Sequence, residues 1–362
     1  MRKKILVVCP NPEGVAPGQR LKYEQYFEHW QNNGFDITVK PFISESFQKI
    51  VYKKNYLASK FYYTILGYVE RIKTLAQLRQ YDLVYIFLWV TPFGFPVFEM
   101  LYCAIAKRII YDIDDLVYIT NKNAPWYSKL FKTKHKPIYL MKKADHVITC
   151  TPYLNQFVRR FNNNTTDISS TVDTSKKYVC VNPYTNDKPL VIGWSGSHST
   201  IQHFVTIKNV LAAIQQKYPQ IKIKVMGGSN IAIENLKIDS IEWSEEKEIP
   251  TLQSFDIGIY PLPDEQWVYG KSGLKAIQYM SLGIPTIATA IGTNFRVIEN
   301  GISGYLVNSE EEWIEKLVLL IENPDLRKQI GIAARLKVEE YFSVAANQHK
   351  YLSSFTSVLQ SE

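Results

Sequence analysis

Short apolar runs rich in Val, Ile and Tyr recur along the chain, with helix-like segments between them. The first two runs are "KILVVCP", which begins at Lys4, and "DITVKPF", which begins at Asp36. Residues 19–32 between them have a helical pattern that ends at Gly34, so the three segments predict a strand-helix-strand unit. Continuous apolar strands are typical of a parallel sheet with helices on both faces, and we therefore expect an α/β fold.

The same alternation continues to the end of the chain. In the first half we expect further strands in "YDLVYIFLW", "RIIYDID" and "HVITC". In the second half we expect strands over 190–194, 221–226, 238–243, 257–260 and 285–289, and helices over 201–217, 273–282, 310–321, 325–341 and onward to residue 360. Two Rossmann-like halves in 362 residues predict two domains.

The polar run at residues 161–177 interrupts the alternation, and a linker is expected near residues 182–188. The predicted domains are residues 1–184 and 185–342, followed by a final helix over 343–362. Open parallel sheets bind ligands beyond the carboxyl ends of their strands. We therefore expect the two domains to face each other across a ligand-binding cleft.

The formal net charge of +8 and the pI near 9.0 favour a polyanionic partner, which is nucleic acid, a phosphorylated small molecule or an anionic membrane surface. Four widely spaced cysteines without a C-x-x-C pair indicate neither a disulfide framework nor a zinc site, and they fit a reducing cytoplasm. The apolar run of residues 5–9 is too short for a signal sequence. The apolar stretch of residues 86–106 contains two prolines, a glycine and Glu99, so we interpret it as a strand, a loop and a helix.

Two lysines lie at the start of the helix predicted over residues 273–282. Ser272 is the expected N-cap, which places Lys271 just before the helix and Lys275 in its first turn. The positive end of the helix dipole repels cations there, whereas a bound diphosphate would be stabilised by both amines and by the helix N–H groups. The alternative is that both lysines point into water.

The turn "WSGS" after the first strand of the second half contains Ser195, Gly196 and Ser197. Such small residues allow a phosphate to approach the backbone N–H groups, and Ser199 or Thr200 is expected to cap the next helix. An ordinary tight turn is the alternative.

The loop after the first strand of the chain contains Gly14 and Gly18. Arg20 is expected to open the helix that follows, where its guanidinium suits a phosphate or a carboxylate. We expect this loop to be mobile. A plain Pro/Gly connector is the alternative.

Three acidic residues lie at the carboxyl end of the strand in "RIIYDID". At least one carboxylate among Asp112, Asp114 and Asp115 is therefore expected to face the cleft. They can position or deprotonate a hydroxyl group, or bind a metal ion as a D-x-D sequence, unless Asp114 only caps the next helix. The six histidines have no metal-ligand spacing and the chain has no G-x-S-x-G motif, so a hydrolase has no support.

Residues 52–79 form a basic and aromatic stretch with a helical pattern. Its basic residues, set against Glu70 alone, are Lys53, Lys54, Lys60, Arg71, Lys73 and Arg79. Such a helix can lie on an anionic bilayer, and residues 129–143 add to the same basic surface. The alternative is a solvated helix face that packs on the domain. Trp243 and Trp267 can each stack on a base or sugar, or pack in the core.

Taken together, these residues resemble the retaining GT-B glycosyltransferases of family four, the group 1 type, which transfer a sugar from a nucleotide-sugar. The resemblance covers the whole chain in outline and is most specific in residues 270–307, where "GLKAIQYMSLGIPTIATAIGTNFRVIENGISGYLV" is similar to the family's donor-site block. "GWSGS" resembles the first turn of the donor domain, and "YDIDD" resembles a branch that acts in cell-surface polysaccharide synthesis.

The resemblance implies a GT-B fold, with an N-terminal acceptor domain, a C-terminal donor domain and a final helix that crosses back to the first domain. With the patterns above, it gives these expected catalytic residues: Lys271, Lys275, Asp112, Asp114 and Asp115. The expected donor-binding residues are Trp194, Ser195, Gly196, Ser197, Trp243, Ser272, Gly273, Leu274 and Gln278. Those expected on the acceptor side are Gly14, Gly18 and Arg20. No metal and no cofactor besides the nucleotide-sugar is implied.

The expected partners are a nucleotide-sugar, a saccharide or polyprenyl-linked glycan acceptor, and an anionic membrane surface. The expected location is the cytoplasm, at the inner face of the membrane. Nucleic acid is not expected, because the basic residues are not joined to a motif that reads bases.

The sequence departs from the family in two respects. The family commonly has two glutamates eight positions apart, and Gly270 and Gln278 stand there in this chain. An Arg/Lys pair is also missing from "WSGSHST", which leaves Lys271 and Lys275 to stabilise the leaving group. Two alternatives remain open: a non-catalytic sugar-nucleotide-binding scaffold, and a metal-dependent transferase that uses Asp112 and Asp114.

Overall fold

The computed structural model describes residues 2–53, 55–119, 135–180, 189–197, 200–228 and 231–360. The chain divides into two compact units. The first contains Met1–Ser170, Gly270–Ser272 and Asn347–Glu362, and the second contains Thr171–Tyr269 and Gly273–Ala346. The predicted linker at 182–188, and with it the boundary between residues 184 and 185, lies outside the described residues.

The first unit is built on a parallel sheet of six strands among the described residues. These strands are β1 (Lys3–Cys9), β2 (Phe35–Pro41), β3 (Leu83–Phe87), β4 (Ile109–Ile113), β5 (His146–Thr149) and β6 (Thr165–Asp167). Their order across the sheet is β2-β1-β3-β4-β5-β6. The apolar runs that predicted strands in this half are therefore confirmed as parallel strands, and β3 and β4 are buried along their whole length.

Helices accompany this sheet at Pro17–Arg20, Phe27–Asn32, Glu45–Gln48, Leu57–Gln77, Val97–Ile105, His135–Lys143 and Pro152–Val158, with short 3₁₀ helices at Glu24–Tyr26 and Leu78–Gln80. The single helix predicted over residues 19–32 is wrong, because the chain is not helical between Arg20 and Glu24. Lys22 and Tyr23 in this gap are fully buried, so the backbone leaves helical geometry where these two side chains enter the core.

The second unit contains a second six-stranded parallel sheet among the described residues. Its strands are β7 (Val191–Ser195), β8 (Lys222–Met226), β9 (Ile238–Ile241), β10 (Ile257–Tyr260), β11 (Thr286–Thr289) and β12 (Tyr305–Val307). Their order is β12-β11-β10-β7-β8-β9, so β7 and β10 are neighbours at the centre. The sequence analysis predicted five of these strands, and the three-residue β12 is an addition.

The helices of the second unit are Ile201–Val205, Lys208–Lys217, Glu245–Gln253, Leu274–Ser281, Asn294–Val297, Glu310–Glu322 and Pro324–Tyr341, with a 3₁₀ helix at Gln266–Gly270 whose last residue belongs to the first unit. The helix predicted over 201–217 is divided in two. The hydroxyl of Thr206 donates to the carbonyl oxygen of His203 at 2.7 Å, a local bond that competes with helix continuation at this position. The predicted end of the helix before Gly283 is confirmed, since Gly283 has φ 74°.

The last helix, Val344–Gln360, begins in the second unit and continues into the first. Its residues Tyr351 and Phe355 pack on Trp30, with ring centroids 5.3 and 4.7 Å from the Trp30 ring. The hydroxyl of Tyr351 donates to the backbone oxygen of Lys22 at 2.9 Å. The core of the first unit therefore includes the last helix of the chain.

The apolar stretch of residues 86–106 forms the end of β3, a loop and the helix Val97–Ile105, as predicted. In the part of the chain that the structure describes, no helix combines the length and the apolar character that crossing a bilayer would require.

Candidate functional site

The helix Leu274–Ser281 of the second unit begins at Gly273, which occupies the N-cap with φ 76°. A side chain there would be strained and would bring a Cβ within 2.9 Å of Val297 Cγ2, so the position requires glycine. The prediction that Ser272 caps this helix is wrong. Its hydroxyl instead donates to Ser170 Oγ at 2.9 Å within the first unit.

Lys275 lies in the first turn of this helix, as predicted. Its amine nitrogen is 5.4 Å from the centroid of the Trp194 ring and 5.4 Å from that of the Tyr260 ring. Trp194 belongs to β7 and Tyr260 ends β10, so both rings come from the carboxyl ends of adjacent central strands. The two ring faces attract the cation and partly offset its repulsion by the helix dipole. The amine is thereby fixed beside the helix N-terminus, where an anion is favoured.

In the described part of the turn after β7, the backbone N–H groups of Ser195, Gly196 and Ser197 have partners within the protein. Ser195 donates to the Tyr279 hydroxyl at 2.7 Å, and Ser197 donates to Thr200 Oγ1 at 2.9 Å. Gly196 donates to a carbonyl oxygen of β8 at 2.9 Å. Thr200 occupies the N-cap of the helix Ile201–Val205, but its hydroxyl oxygen serves this turn and makes no side-chain cap bond. A phosphate could accept a hydrogen bond from one of these three N–H groups only by displacing its partner within the protein.

Gln278 is buried on the same helix and donates two hydrogen bonds through its amide nitrogen. The acceptors are the Tyr178 hydroxyl at 2.7 Å and Glu248 Oε1 at 2.9 Å. Glu248 is also buried. Because both amide hydrogens are used, the group that Gln278 can offer to a ligand is its carbonyl oxygen, an acceptor.

The two tryptophans near the predicted donor side have different surroundings. Trp243 follows β9 and remains partly exposed to solvent. Trp267 donates its indole N–H to Glu265 Oε2 at 2.6 Å, and its ring centroid lies 5.2 Å from that of His203. Trp243 is therefore the more accessible of the two rings for stacking.

In the first unit, Asp112 lies within β4 and is fully buried. Its carboxylate accepts a hydrogen bond from the Tyr85 hydroxyl and lies 3.5 Å from the amine of Lys22. Burial raises the pKa of Asp112 to about 6, and the nearby Lys22 opposes that rise. The expectation that a strand-end carboxylate faces the cleft does not apply to Asp112, because its side chain points into the core.

Asp114 and Asp115 follow the strand. Burial raises the pKa of Asp114, and the nearby Lys22 and Cys150 oppose that rise. Asp115 has φ 71°, accepts the N–H of Leu116 at 2.8 Å and forms an ion pair with Lys271. Asp112 and Asp115 are thus each paired with a different lysine. In the described ranges, no three His, Cys, Asp or Glu side chains come together as a metal-binding group.

Gly270 lies against Leu116 in the first unit. A Cβ at this position would lie 2.5 Å from Leu116 Cγ and 2.8 Å from the Leu116 backbone nitrogen. The Cys150 thiol donates to the Gly270 carbonyl oxygen at 3.4 Å. Any side chain larger than hydrogen would therefore displace the backbone, which explains why no acidic residue stands here.

The loop after β1 is held by Glu24. The N–H of Gly14 donates to Glu24 Oε2 at 2.8 Å. Burial raises the pKa of Glu24. Gly18 and Arg20 belong to the short helix Pro17–Arg20, so the prediction that Arg20 opens the helix is wrong; Arg20 ends it. Pro17 at the first helical position begins the helix three residues earlier than expected.

The two predicted lysines belong to different units of the structure. Lys275 belongs to the second unit with the aromatic rings, whereas Lys271 belongs to the first unit and pairs with Asp115. Sequence analysis missed the supporting residues Tyr260, Glu248 and Lys22. Of these three, only Tyr260 could have been found from the sequence, because it lies at the carboxyl end of a predicted strand, where open parallel sheets bind ligands.

Comparison with known protein families agrees with this architecture. Residues 189–323 match the family model described as glycosyl transferases group 1. A trehalose synthase of Pyrococcus horikoshii is 30% identical over 87 residues, which are 24% of this chain and 21% of that protein. A Haemophilus influenzae protein described as an uncharacterized glycosyltransferase is 28% identical over 169 residues, 43% of this chain and 45% of that protein. The matched regions span less than half of either curated relative.

Two solved structures cover almost the entire chain. The sucrose-phosphate synthase of Thermosynechococcus elongatus has a TM-score of 0.72 at 17% identity and covers 98% of this chain and 99% of its own. Anabaena HepE, solved in complex with UDP and glucose, has a TM-score of 0.68 at 13% identity and covers 99% of this chain and 100% of its own. The chain therefore has the GT-B fold of these enzymes, and its residues 189–323 match the group 1 glycosyl transferases.

Proposed function

We propose that this protein is a glycosyltransferase that moves a sugar from a nucleotide-sugar to a saccharide or lipid-linked acceptor. The observation that carries the proposal is the fixed amine of Lys275, which lies between the Trp194 and Tyr260 rings at a helix N-terminus. This helix lies within the segment that matches the group 1 glycosyl transferases. A cation held in place before the reaction stabilises the charge that develops on a departing diphosphate.

In the proposed reaction the bond between the anomeric carbon and the diphosphate oxygen breaks. The anomeric carbon bonds to an acceptor hydroxyl oxygen, the hydroxyl loses its proton, and the nucleoside diphosphate leaves with the electron pair. We propose retention of configuration, with attack on the face that the leaving group departs from. This part rests on the resemblance of residues 270–307 to the retaining family.

The proposed donor contacts lie on the second unit. The diphosphate is placed near Lys275 and the hydroxyl groups of Ser195 and Ser197, and the carbonyl oxygen of Gln278 accepts a hydrogen bond from a ribose hydroxyl. Trp243 supplies an accessible ring. Anabaena HepE was solved with UDP, so a UDP-sugar is the first donor to test.

The proposed acceptor contacts lie on the first unit, in the loop with Gly14 and Gly18 and at Asp114. Asp112 is proposed to act as a support for this region, because its carboxylate is held inside the unit by Tyr85 and Lys22. We propose a reaction without a metal or another cofactor. The support is that Asp112, which a D-x-D site would need together with Asp114, is buried and engaged by Lys22.

We further propose that the protein works at the inner face of the cytoplasmic membrane, in the synthesis of a surface polysaccharide. The support for membrane association is the basic and aromatic helix Leu57–Gln77. The polysaccharide role rests on the resemblance of "YDIDD" to that branch of the family. A polyprenyl-linked glycan is the acceptor that fits both the membrane association and the polysaccharide role.

A second candidate function, a non-catalytic nucleotide-sugar-binding scaffold, is favoured by one observation. Leu116 fills the space where the family places an acidic residue, so Gly270 cannot contribute a carboxylate. This candidate predicts nucleotide-sugar binding without turnover on any acceptor.

A thermal-shift screen of UDP-, GDP- and ADP-sugars tests donor binding. Mass spectrometry of the glycan products formed with polyprenyl-linked acceptors then tests sugar transfer. We expect one nucleotide class to raise the melting temperature and to be consumed. Stabilisation without consumption on any acceptor supports the scaffold, and no stabilisation at millimolar concentration contradicts both candidates.

A further inference from the structure

The helix Leu57–Gln77 of the first unit exposes one apolar face. Leu57 is 78% exposed and Phe61 is 70% exposed, and the same face continues through further large apolar side chains at Tyr62, Ile65, Leu66, Val69 and Ile72. Spacings of three and four residues place these side chains along one side of a helix. A monomeric protein in water rarely leaves so many neighbouring apolar side chains uncovered.

The opposite face fixes the rotation of this helix. Arg71 is fully buried, and its guanidinium donates to the backbone oxygens of Val90 at 2.7 Å, Lys40 at 2.9 Å and Cys9 at 3.0 Å. Gly67 packs closely on the ring of Phe42. Because these contacts hold the helix from inside, its apolar residues cannot turn inward without breaking three hydrogen bonds to buried backbone groups.

A second element beside this helix is also apolar and exposed. The hydroxyl of Tyr68 donates to the Phe93 carbonyl oxygen at 3.0 Å, and the Tyr68 ring lies 5.5 Å from that of Phe98. Through these contacts the helix adjoins the segment of residues 93–101, in which Phe95 is 75% exposed and Phe93, Val97, Met100 and Leu101 are exposed as well. We name the exposed apolar side chains of the two elements the apolar ridge.

Basic side chains accompany the apolar ridge. The amine of Lys60 donates to the backbone oxygen of Lys53 at 2.6 Å, and Lys53 lies 5.9 Å from the centroid of the Tyr56 ring. Glu70 is the single acidic residue of the helix, and it is paired with Lys73. The positive charges of Lys53 and Lys60 are therefore not neutralised by Glu70. A second copy of this chain seated on the ridge through a two-fold contact would bring these like charges together. An anionic lipid interface complements them, since long basic side chains reach phosphate groups while their neighbours enter the acyl region.

We propose that the apolar ridge inserts into the headgroup–acyl boundary of an anionic bilayer, with Phe61 and Phe95 as its deepest side chains. This names the surface and the mode of the membrane association proposed above, and it rests on that part of the proposed function. Insertion of apolar side chains adds a contribution that salt does not screen, whereas adsorption through lysines alone is lost at high ionic strength.

The test is flotation of the full chain with vesicles of phosphatidylglycerol and phosphatidylcholine, compared with vesicles of phosphatidylcholine alone. We expect binding to the anionic vesicles that persists in part at high salt. The double variant Phe61→Ser with Phe95→Ser is expected to weaken partitioning by about tenfold or more. The matched control replaces exposed apolar residues on a helix of the second unit, Ile332→Ser with Leu336→Ser, and is expected to bind as the wild type does.

Circular dichroism and the melting temperature verify that both double variants are folded, which is expected because all four side chains are exposed. Thermal stabilisation by nucleotide-sugar should be unchanged in both, so a failure of donor binding is distinguishable from a failure of membrane insertion. The proposal is overturned if the wild type does not float, if its binding is fully lost at high salt, or if the control loses as much binding as the ridge variant. It is also overturned if sedimentation shows a dimer that the ridge variant dissociates, because the ridge then joins two copies.

Discussion

The amine of Lys275 lies 5.4 Å from the centre of the Trp194 ring, at the carboxyl end of β7. The pairing joins the first strand of the second sheet to a helix that begins eighty residues later in the sequence, at Leu274. It holds a cation where the helix dipole alone would repel it. The helix N-terminus and this cation together favour a bound anion.

The first prediction follows from this cation. Lys275→Ala should abolish the thermal stabilisation by a UDP-sugar and lower kcat/KM by about 10²- to 10³-fold, because the leaving diphosphate loses a preorganised charge. The shift in melting temperature and the initial rates measure the two effects.

The control for this prediction is Lys316→Ala. Lys316 lies 5.4 Å from the centroid of the Tyr305 ring in the same unit, so it has the same kind of contact away from the helix N-terminus. It should bind donor as the wild type does. Equal losses in both variants would show that the Lys275 contact is only structural.

The second prediction concerns Gly270. Gly270→Ala should lower the free energy of unfolding by about 1–3 kcal/mol, because the added Cβ overlaps Leu116. Gly270→Glu should be at least as destabilised and should gain no activity, although it restores the residue common in the family. Urea denaturation and rates measure both.

Gly18→Ala is the comparison variant for Gly270→Ala. An added Cβ at Gly18 would meet only Asp114 Oδ2, at 3.4 Å, and the backbone there is already helical. Its free energy of unfolding should stay within about 1 kcal/mol of the wild type. A stable Gly270→Ala protein would mean that Leu116 moves aside easily.

The third prediction concerns Gln278, the other departure from the family. Gln278→Glu would place a second carboxylate beside buried Glu248, so we expect it to lower the free energy of unfolding by about 1–3 kcal/mol. Urea denaturation measures this loss.

Adding Glu248→Gln to Gln278→Glu should recover much of this loss, because one carboxylate then faces an amide again. The double-mutant cycle isolates the coupling between the two positions. A cycle without coupling would contradict the interpretation that Glu248 is the reason why glutamine stands at residue 278.

The fourth prediction is a pH dependence. Burial raises the pKa of Asp112 from its ordinary 3.8 to about 6, so between these values the folded protein binds more protons than the unfolded chain. The contribution of Asp112 to the free energy of unfolding is therefore present at low pH and is lost as pH rises through about 6. In the Asp112→Asn variant the free energy of unfolding should decrease less than in the wild type as pH rises through this range.

Asp36→Asn is the control for the pH series, because Asp36 lies exposed on β2 of the same sheet. Between pH 4 and 6 the free energy of unfolding of Asp36→Asn should decrease as much as that of the wild type. An Asp112→Asn curve parallel to the wild type would contradict the assignment of that decrease to Asp112.

Much of the fold could be predicted because local patterns determine it. Buried parallel strands such as β3 and β4 are apolar along their whole length, and that pattern is readable without tertiary information. The break at Lys22 and Tyr23 could not be read, because a lysine in a helical pattern ordinarily faces water. Its burial depends on Asp112 and on a carbonyl oxygen of β5, which are distant in sequence.

The candidate site was predictable where it depends on strand ends and helix starts. The positions of Lys275 and of the turn at Ser195 follow from these two rules. The structure places the turn at the carboxyl end of β7 and Lys275 in the first turn of the helix Leu274–Ser281. The supporting contacts were not predictable. The choice of Gly273 over Ser272 as the N-cap depends on a backbone angle. Glu248, the partner of Gln278, lies on the helix Glu245–Gln253, whose N-cap Ser244 and acidic first turn indicate a helix but not this contact.

The aromatic packing of Tyr351 and Phe355 on Trp30 has a consequence for biosynthesis. The ribosome synthesises these two residues long after Trp30, when the strands of the first sheet have already been made. The Trp30 indole lacks these two rings until that part of the chain has emerged. A nascent chain stalled before residue 351 should accordingly be open to proteases at a place where the released protein resists them.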